Sequence, residues 1–483
     1  MKMRIERDAL GEKAVPDEAY YGAQTQRAVE NFPISGGRLH RQMVRTIGLV
    51  KLAAAEVNMA LGDLPAKIGS RIAEAAEEVA NGKWDSQFVV DAFQAGAGTS
   101  FNMNANEVIA NRALELLGKP RGDYGTIHPN DEVNMSQSTN DVFPTAIRLA
   151  ALVLIRDRLL PGLTSLEEEL RKKAAEFDGI VKAGRTHLQD AVPIRLGQEF
   201  GGYAQAVADG IDAIKSAARG LRRLGIGGTA VGTGINTHPK YRERVIRRLR
   251  ELTGLPLQPA GNLFEVTQSA ADLARVSAAL RGLALELIRI SNDLRLLGSG
   301  PRTGLAEINL PAVQPGSSIM PGKVNPSMAE MLAMVCFEVV GNDLTIAMAT
   351  QAGQLDLNVM TPVIAHDLLQ SIEILGNASL MVATSCVRGI TANEARCGEY
   401  AEKSVALVTA LSPRIGYAKA AEIVKEAVNT DKSLLEVARN RLELTEEDLR
   451  KVLEPLHLTE LSDCVGESAG DGEAGNVAAD SEQ

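Results

Sequence analysis

The segment from Phe264 to Leu297 contains no proline and one glycine, and its apolar residues recur at spacings of three and four. This spacing predicts one helix of roughly 50 Å, at about 1.5 Å per residue. A helix of that length needs helical neighbours along its whole surface, because isolated helices are marginal in water. Met328–Thr350 and Pro362–Thr384 supply two such neighbours, and Pro144–Phe177 supplies a third that Pro161 should kink or break. With aromatic residues at only 4% and little strand-like alternation, the chain is predicted to be mainly α.

At 483 residues the chain exceeds what one hydrophobic core usually supports. Residues 1–140 mix short helical stretches with turns and are predicted to form an N-terminal domain. The long helices predict a central helix-bundle domain over 141–389, and shorter charged helices predict a small C-terminal domain over 390–464. The tail 465–483 is rich in Gly, Ala, Asp, Glu and Ser, and is expected to be disordered.

Several protein classes are disfavoured by charge and composition. The net charge of −10 argues against a nucleic-acid-binding surface. No apolar stretch approaches the roughly 20 residues needed to span a bilayer, and the first residues lack an apolar signal region, so a cytoplasmic protein without a membrane partner is expected. A disulfide framework and a structural zinc site are improbable, because the cysteines are widely and irregularly spaced: Cys336, Cys386, Cys397 and Cys464.

The segment Gly316–Pro326 carries the most chemistry. Two glycines and two prolines make a helix or strand improbable and predict a shaped loop. Within it, Lys323 could counter a carboxylate and Asn325 could hydrogen-bond it, while a serine could act as base or nucleophile. A solvated surface turn is the plain alternative for such a stretch.

The loop resembles the signature loop of the fumarase/aspartase superfamily, and the resemblance extends over about residues 4–460. Further segments share it: Gly96–Ser100, Ser136–Asp141, Gly184–Asp190 and His128–Asp131. It implies a three-domain fold whose long-helix bundle assembles into a homotetramer with a twenty-helix core. It also implies active sites shared between three subunits. Taken alone, Ser138–Asp141 would be a helix cap and a lone histidine would be structural.

The resemblance implies elimination from a small dicarboxylate through an aci-carboxylate, with no metal and no organic cofactor. Ser317 is then the base that removes the C3 proton, and Glu330 orients His187, which contacts substrate. The residues expected to bind substrate are Gly98, Thr99, Ser100, Ser138, Thr139, Asn140, Thr186, Ser318, Lys323 and Asn325. A candidate secondary anion site, for which a plain turn is equally plausible, comprises His128, Pro129, Asn130 and Asp131.

Within the superfamily, Gly96–Ser100 and Ser138–Asn140 look like aspartases, which eliminate ammonia from aspartate to give fumarate. His128–Asp131 and Asn236–Pro239 look like class II fumarases, which interconvert malate and fumarate, and Thr361 stands where many aspartases have glutamate. We favour the aspartase interpretation because it includes residues expected near the C2 substituent, where the Thr139 hydroxyl could accept a hydrogen bond from an ammonium. A catalytically inactive structural protein on the same scaffold is the remaining alternative.

Overall fold

A computed structural model describes residues 2–460, and these form two compact units. The described part of the first comprises residues 2–171 and Gly202–Thr391, and that of the second comprises Lys172–Gly201 and residues 392–460. The second unit therefore combines the predicted C-terminal segment with an insertion from the middle of the chain. The three-domain boundaries stay a prediction, and the predicted disordered tail lies outside the described residues.

The described chain is mainly helical, which confirms the predicted fold class. In order, the helices are α1 (Ala23–Asn31), α2 (Arg41–Leu61), α3 (Ala66–Ala80), α4 (Thr99–Leu116), α5 (Thr139–Leu154), α6 (Leu160–Glu176), α7 (Leu196–Ala218), α8 (Tyr241–Thr253), α9 (Leu263–Gln268), α10 (Ala271–Leu297), α11 (Ser327–Gln351), α12 (Thr361–Ser385), α13 (Glu394–Lys403), α14 (Ser412–Ile415), α15 (Tyr417–Thr430), α16 (Leu434–Arg441) and α17 (Glu446–Val452).

The strands of the described residues are short: β1 (Met3–Asp8), β2 (Gly11–Pro16), β3 (Val181–Thr186), β4 (Gln189–Arg195), β5 (Arg223–Leu224), β6 (Gln258–Pro259), β7 (Ile308–Asn309) and β8 (Thr391–Ala392). β1 pairs antiparallel with β2, and β3 pairs antiparallel with β4. These ribbons are accessory to the helices, because a two-stranded sheet has too little surface to form a core of its own.

The long helices of the first unit pack in sequence: α10 against α11, α11 against α12, and α2 against both α3 and α5. Their contact faces are apolar, with Leu280, Leu287, Ile346 and Leu368 fully buried. Burying such faces along several turns supplies the hydrophobic stabilisation that helices of this length require. The predicted helices at Met328–Thr350 and Pro362–Thr384 are confirmed as α11 and α12.

The predicted single helix over Phe264–Leu297 is wrong at its N-terminal end. The chain leaves the helical conformation at Ser269, which is extended with φ −109° and ψ 128°. The Ser269 hydroxyl then accepts the backbone N–H of Ala271 at 3.2 Å, in a serine turn just before Ala270, the N-cap of α10. The apolar spacing continues across the break, which is why the sequence pattern could not show it; α10 alone is roughly 40 Å long.

The predicted irregularity near Pro161 lies one turn earlier than the proline itself. A π-helical turn over Ile155–Leu159 separates α5 from α6, and Pro161 is the second residue of α6. Proline removes one backbone donor and crowds the preceding turn, so widening that turn relieves the conflict without ending the helical path.

One helix of the described residues, Ser327–Gln351, is long and apolar enough by length and composition to cross a membrane, so the expectation that no apolar stretch approaches this length is wrong. Core helices of soluble proteins meet the same criterion, so this helix does not bear on the expectation that the protein has no membrane partner. Only a third of its apolar window is buried within the chain. The exposed residues Met334, Phe337, Leu344 and Met348 are each more than half accessible and are spaced by three, seven and four residues. This places them in one stripe along α11.

The second unit has its own core. Leu407, Leu411, Ile423, Val437 and Leu449 are buried together within the segment that follows residue 392. Its helices are capped locally: Ser433 and Glu436 form a capping box at the start of α16. The unit also contains the β3–β4 hairpin, whose loop carries a predicted site residue.

Candidate active site

The first site segment is a tight turn that leads into α4. Gly96–Gly98 form a 3₁₀ turn in which Ala97 and Gly98 have φ of 59° and 81°. Gly98 also lies against a buried ring, because an added Cβ would sit 2.3 Å from Cδ2 of Phe143. Glycine is therefore required here both for backbone conformation and for space. Thr99, the next residue, is exposed and donates its hydroxyl to the Gly96 carbonyl at 3.0 Å, whereas Ser100 is buried.

The second segment opens α5 and confirms the predicted helix cap. Ser138 Oγ accepts from Asn140 N at 3.2 Å, and Asp141 accepts from Ser138 N at 3.0 Å, which completes a capping box. The other Asp141 oxygen accepts the backbone N–H groups of Gly227 and Thr229, each at 2.9 Å. The buried Asp141 thus ties a distant loop to the start of α5, while Ser138, Thr139 and Asn140 stay partly accessible.

The structure brings these two segments together. Asn102 in the first turn of α4 donates to Thr139 Oγ1 at 2.9 Å and to Asn134 Oδ1 at 3.2 Å. The N-termini of α4 and α5 are therefore neighbours. Helix N-termini carry unpaired backbone donors and partial positive charge, so two of them side by side suit an anion.

The Asn134 oxygen contacted by Asn102 also accepts from a buried lysine that the sequence analysis did not identify. Lys51 of α2 is 0% exposed and donates to Asn134 Oδ1 and Gln137 Oε1, each at 2.9 Å. Burial lowers the pKa of Lys51 to about 7, although the nearby Asp141 carboxylate opposes that change. Burial likewise raises the pKa of Asp141 to about 6, against its backbone donors and Lys51. The sequence feature that could have identified Lys51 is its position as the one charged residue within the apolar stretch Val50–Ala55.

The signature loop is closed by its own contacts. Gly316 N donates to the Lys323 carbonyl at 2.9 Å, and Asn325 Nδ2 donates to the Gly316 carbonyl at 2.7 Å. A side chain on Gly316 would lie 2.5 Å from that Lys323 oxygen, so the crossing requires glycine. A cavity of about 460 Å³ is lined by residues 312–317 and 320–324.

The polar side chains of the loop have defined partners. Ser317 Oγ accepts the backbone N–H groups of Ile319 at 3.2 Å and Met320 at 2.9 Å. Lys323 Nζ donates to Asn325 Oδ1 at 2.8 Å, so these two predicted carboxylate ligands are adjacent. Ser318 is exposed beside them, and Glu330 lies partly buried in the first turn of α11. Among the residues described, no hydrogen bond or ion pair joins this loop to Thr99 or Thr139.

His187 lies in the second unit, at the tip of the β3–β4 hairpin. Thr186 ends β3, and His187 and Leu188 form the two-residue turn with φ of 57° and 59°. Left-handed backbone at two non-glycine residues is strained, and such strain is concentrated at functional sites. Thr186 and His187 are both exposed. Pairing of His187 with Glu330, which belongs to the first unit, stays a prediction.

The candidate secondary anion site begins a π-helical turn over Pro129–Val133. His128 Nδ1 accepts from Asn130 N at 3.2 Å, and His128 N donates to Glu132 at 2.6 Å. Asp131 Oδ2 lies 3.6 Å from His128 Nδ1. The carboxylates of Asp131 and Glu132 lie at this turn and would repel an anion. Binding of an anion here stays a prediction.

Between residues 2 and 460, no group of three or more His, Cys, Asp or Glu side chains is arranged to hold a metal ion. The candidate segments instead carry hydroxyls, amides, the lysines Lys51 and Lys323, and helix N-termini. Such groups can bind carboxylates and stabilise negative charge that develops on them. A serine whose oxygen accepts two backbone N–H groups can carry alkoxide character.

Comparison with known proteins agrees with this chemistry. A family model described as lyase matches residues 11–341, and one described as fumarase C C-terminus matches residues 407–460. An aspartate ammonia-lyase from a Bacillus species is 51% identical over 95% of this chain and 97% of its own length. A class II fumarate hydratase from Halobacterium salinarum is 52% identical over 94% and 97%. The crystal structure of a fumarate lyase:delta crystallin from Brucella melitensis bound to cobalt covers 95% of this chain and all of its own, with a TM-score of 0.91 and 49% identity.

Proposed function

The chain belongs to the fumarase/aspartase superfamily of lyases, and on that premise we propose that it is an aspartate ammonia-lyase, which reversibly eliminates ammonia from L-aspartate to give fumarate. Identity does not separate ammonia-lyase from hydratase, since both kinds of relative lie near 50%. The observation that carries the proposal is the contact between Asn102 and Thr139. It links Asn102, which follows the aspartase-like segment Gly96–Ser100 in the first turn of α4, to the second aspartase-like segment, Ser138–Asn140, at paired helix N-termini.

In the proposed reaction, Ser317 as alkoxide takes the C3 proton of aspartate. The C3–H electron pair moves onto the adjacent carboxylate to give a dianionic aci-carboxylate. That pair then returns to form the C2=C3 double bond as the C2–N bond breaks and ammonia leaves. The backbone donors of Ile319 and Met320 support the alkoxide, and Lys323 with Asn325 supports the charge on the carboxylate.

Thr99, Ser100 and Ser138–Asn140 would hold the remaining carboxylate and the amino group, with Gly98 keeping the turn close to α5. Ser318 would add a hydroxyl beside the base. Thr186 and His187, presented at the tip of a strained hairpin, would contact the substrate from another side, with Glu330 orienting the imidazole. These roles are part of the proposal, which also places the enzyme in the cytoplasm.

The proposal includes a homotetramer with shared active sites. The exposed stripe of Met334, Phe337, Leu344 and Met348 on α11 supports it, because spacings of three, four and seven are those of helix-on-helix packing. The opposite face of α11 already packs against α10 and α12. A second copy of the same bundle can bury the stripe by the same kind of contact.

Class II fumarate hydratase is the second candidate. It is favoured by the fumarase-like segment Asn236–Pro239 and by Thr361, which is buried at the first turn of α12 where many aspartases have glutamate. The inactive structural protein is disfavoured by the retained polar groups at Ser317, Lys323 and Thr139.

The deciding experiment supplies the purified protein with L-aspartate and L-malate separately and follows fumarate by ultraviolet absorbance. Aspartate should be deaminated, and malate should be dehydrated feebly or not at all. Efficient turnover of malate with inert aspartate would reassign the enzyme as a fumarase and leave the Ser317 and Lys323 roles standing. Inert protein with both substrates would favour the structural alternative.

A further inference from the structure

The buried Lys51 controls the orientation of two amides. Its nitrogen carries two N–H donors even when neutral and three when protonated, and Asn134 and Gln137 turn their oxygens toward it, each at 2.9 Å. Their nitrogens point the other way. Asn134 Nδ2 donates to the Gln137 carbonyl at 3.2 Å, and Gln137 Nε2 donates to the carbonyls of Val133 at 3.2 Å and Met135 at 3.0 Å. Flipping either amide would set donor against donor and acceptor against acceptor.

The orientation of Asn134 in turn fixes the orientation of the Asn102 amide. Because Asn134 presents its oxygen, Asn102 must present its nitrogen, and Nδ2 donates at 3.2 Å. The second hydrogen of that nitrogen goes to Thr139 Oγ1 at 2.9 Å. The Thr139 oxygen therefore accepts a hydrogen bond from inside the protein. Its own proton is taken by none of the residues from 2 to 460, and Thr139 is partly accessible.

The Thr139 oxygen already accepts one hydrogen bond, and its own hydrogen is free to be donated. The partner that best uses that hydrogen is an anionic oxygen. A substrate ammonium carries only donors and would compete for the one lone pair left, whereas a carboxylate would use the proton. The hydroxyl is therefore better suited to a carboxylate than to the amino group that the sequence analysis assigned to it.

We propose that Lys51 is a positioning residue that, through Asn134 and Asn102, fixes the Thr139 hydroxyl as a hydrogen-bond donor to a carboxylate of the substrate. The inference rests on the proposed function only in that the site binds a four-carbon dicarboxylate. It applies equally to aspartate and malate, because both carry the same two carboxylates and differ only in the substituent on C2.

A double-mutant cycle on succinate binding tests the relay, because succinate is a dicarboxylate that cannot react. Its dissociation constant is measured by titration calorimetry on the wild-type assembly, Lys51→Met, Thr139→Val and the double variant. Each single change should weaken binding roughly 10- to 100-fold, the range for one hydrogen bond to a charged group. The double variant should bind no more weakly than Thr139→Val alone, since the lysine acts through that hydroxyl.

Asn106→Leu is the matched control. Asn106 donates to the same Asn134 oxygen at 3.3 Å but has no bond to Thr139. It should lower the thermal unfolding temperature and leave succinate affinity unchanged. Asn102→Leu gives a second cycle with Thr139→Val if Lys51→Met does not fold, and the same loss of additivity is expected.

If the losses of succinate affinity from the two single changes multiply in the double variant, Lys51 acts independently of Thr139. That result would overturn the inference. A similar effect of Asn106→Leu on succinate binding would do the same. A wild-type protein that does not bind succinate would instead overturn the dicarboxylate site of the proposed function, so the two failures are distinguishable.

Discussion

Gly98 offers a direct test of how the fold builds the site. Alanine at this position would keep φ at 81°, in the left-handed region that costs an L-residue roughly 1–2 kcal/mol. Its Cβ would also lie 2.3 Å from Cδ2 of the fully buried Phe143, and overpacking of this kind costs about 1–3 kcal/mol. Gly98→Ala should therefore lower the free energy of unfolding by roughly 2–5 kcal/mol and reduce turnover, because Thr99 must move.

Gly118→Ala is the control, since Gly118 follows the other end of α4. Its φ is 72°, and nothing lies within 4 Å of an added Cβ, so it should lose only the backbone cost of roughly 1–2 kcal/mol. Urea unfolding at fixed protein concentration measures both variants. Phe143→Leu should recover part of the loss in Gly98→Ala and none in Gly118→Ala. Equal losses for the two alanines, with normal turnover in both, would refute the claim that contact with Phe143 positions Thr99.

Further predictions concern the roles, the assembly and the response to acid. Ser317→Ala should retain succinate binding and lose most turnover, whereas Lys323→Ala should lose both, by calorimetry and fumarate absorbance. Ser317→Ala and His187→Ala, each inactive, should regain activity when mixed and reassembled; verified mixed tetramers without activity would argue against shared sites. Burial raises the pKa of Glu78, but hydrogen bonds led by that from Arg112 outweigh it and lower the pKa to about 2. Its stabilisation is therefore present above the unfolded pKa near 4.5 and is lost as pH falls toward 2, so thermal unfolding of Glu78→Gln should depend less on pH across that window.

Much of the architecture could be predicted because it depends on local chemistry. Apolar spacing located α11 and α12, and glycine with proline located the Gly316–Pro326 loop. The break at Ser269 cannot be seen in the sequence, because the apolar repeat runs through it. In the structure the backbone becomes extended at Ser269, whose hydroxyl accepts the N–H of Ala271. The sequence likewise could not show that Gly98 touches Phe143, since that contact is made in three dimensions.

The candidate site was predicted in part for the same reason. Thr99, Thr139 and Ser317 lie in short polar segments that are recognisable from the sequence alone. Lys51 stands in an apolar helix, and its role depends on amides from a different segment, Asn134 and Gln137. The donor and acceptor directions along such a chain of hydrogen bonds depend on the folded network, so no sequence pattern reveals them.

The proposed reaction removes a proton from C3 and expels ammonia from C2, and one proton NMR spectrum can test both steps. Fumarate and an ammonium salt are incubated with the protein in D₂O, and the products are identified by proton NMR. We expect aspartate with a single deuterium at C3, formed by the wild type and barely by Ser317→Ala. Deuterated malate in place of aspartate would contradict the ammonia-lyase assignment, and unchanged fumarate would contradict the proposed chemistry altogether.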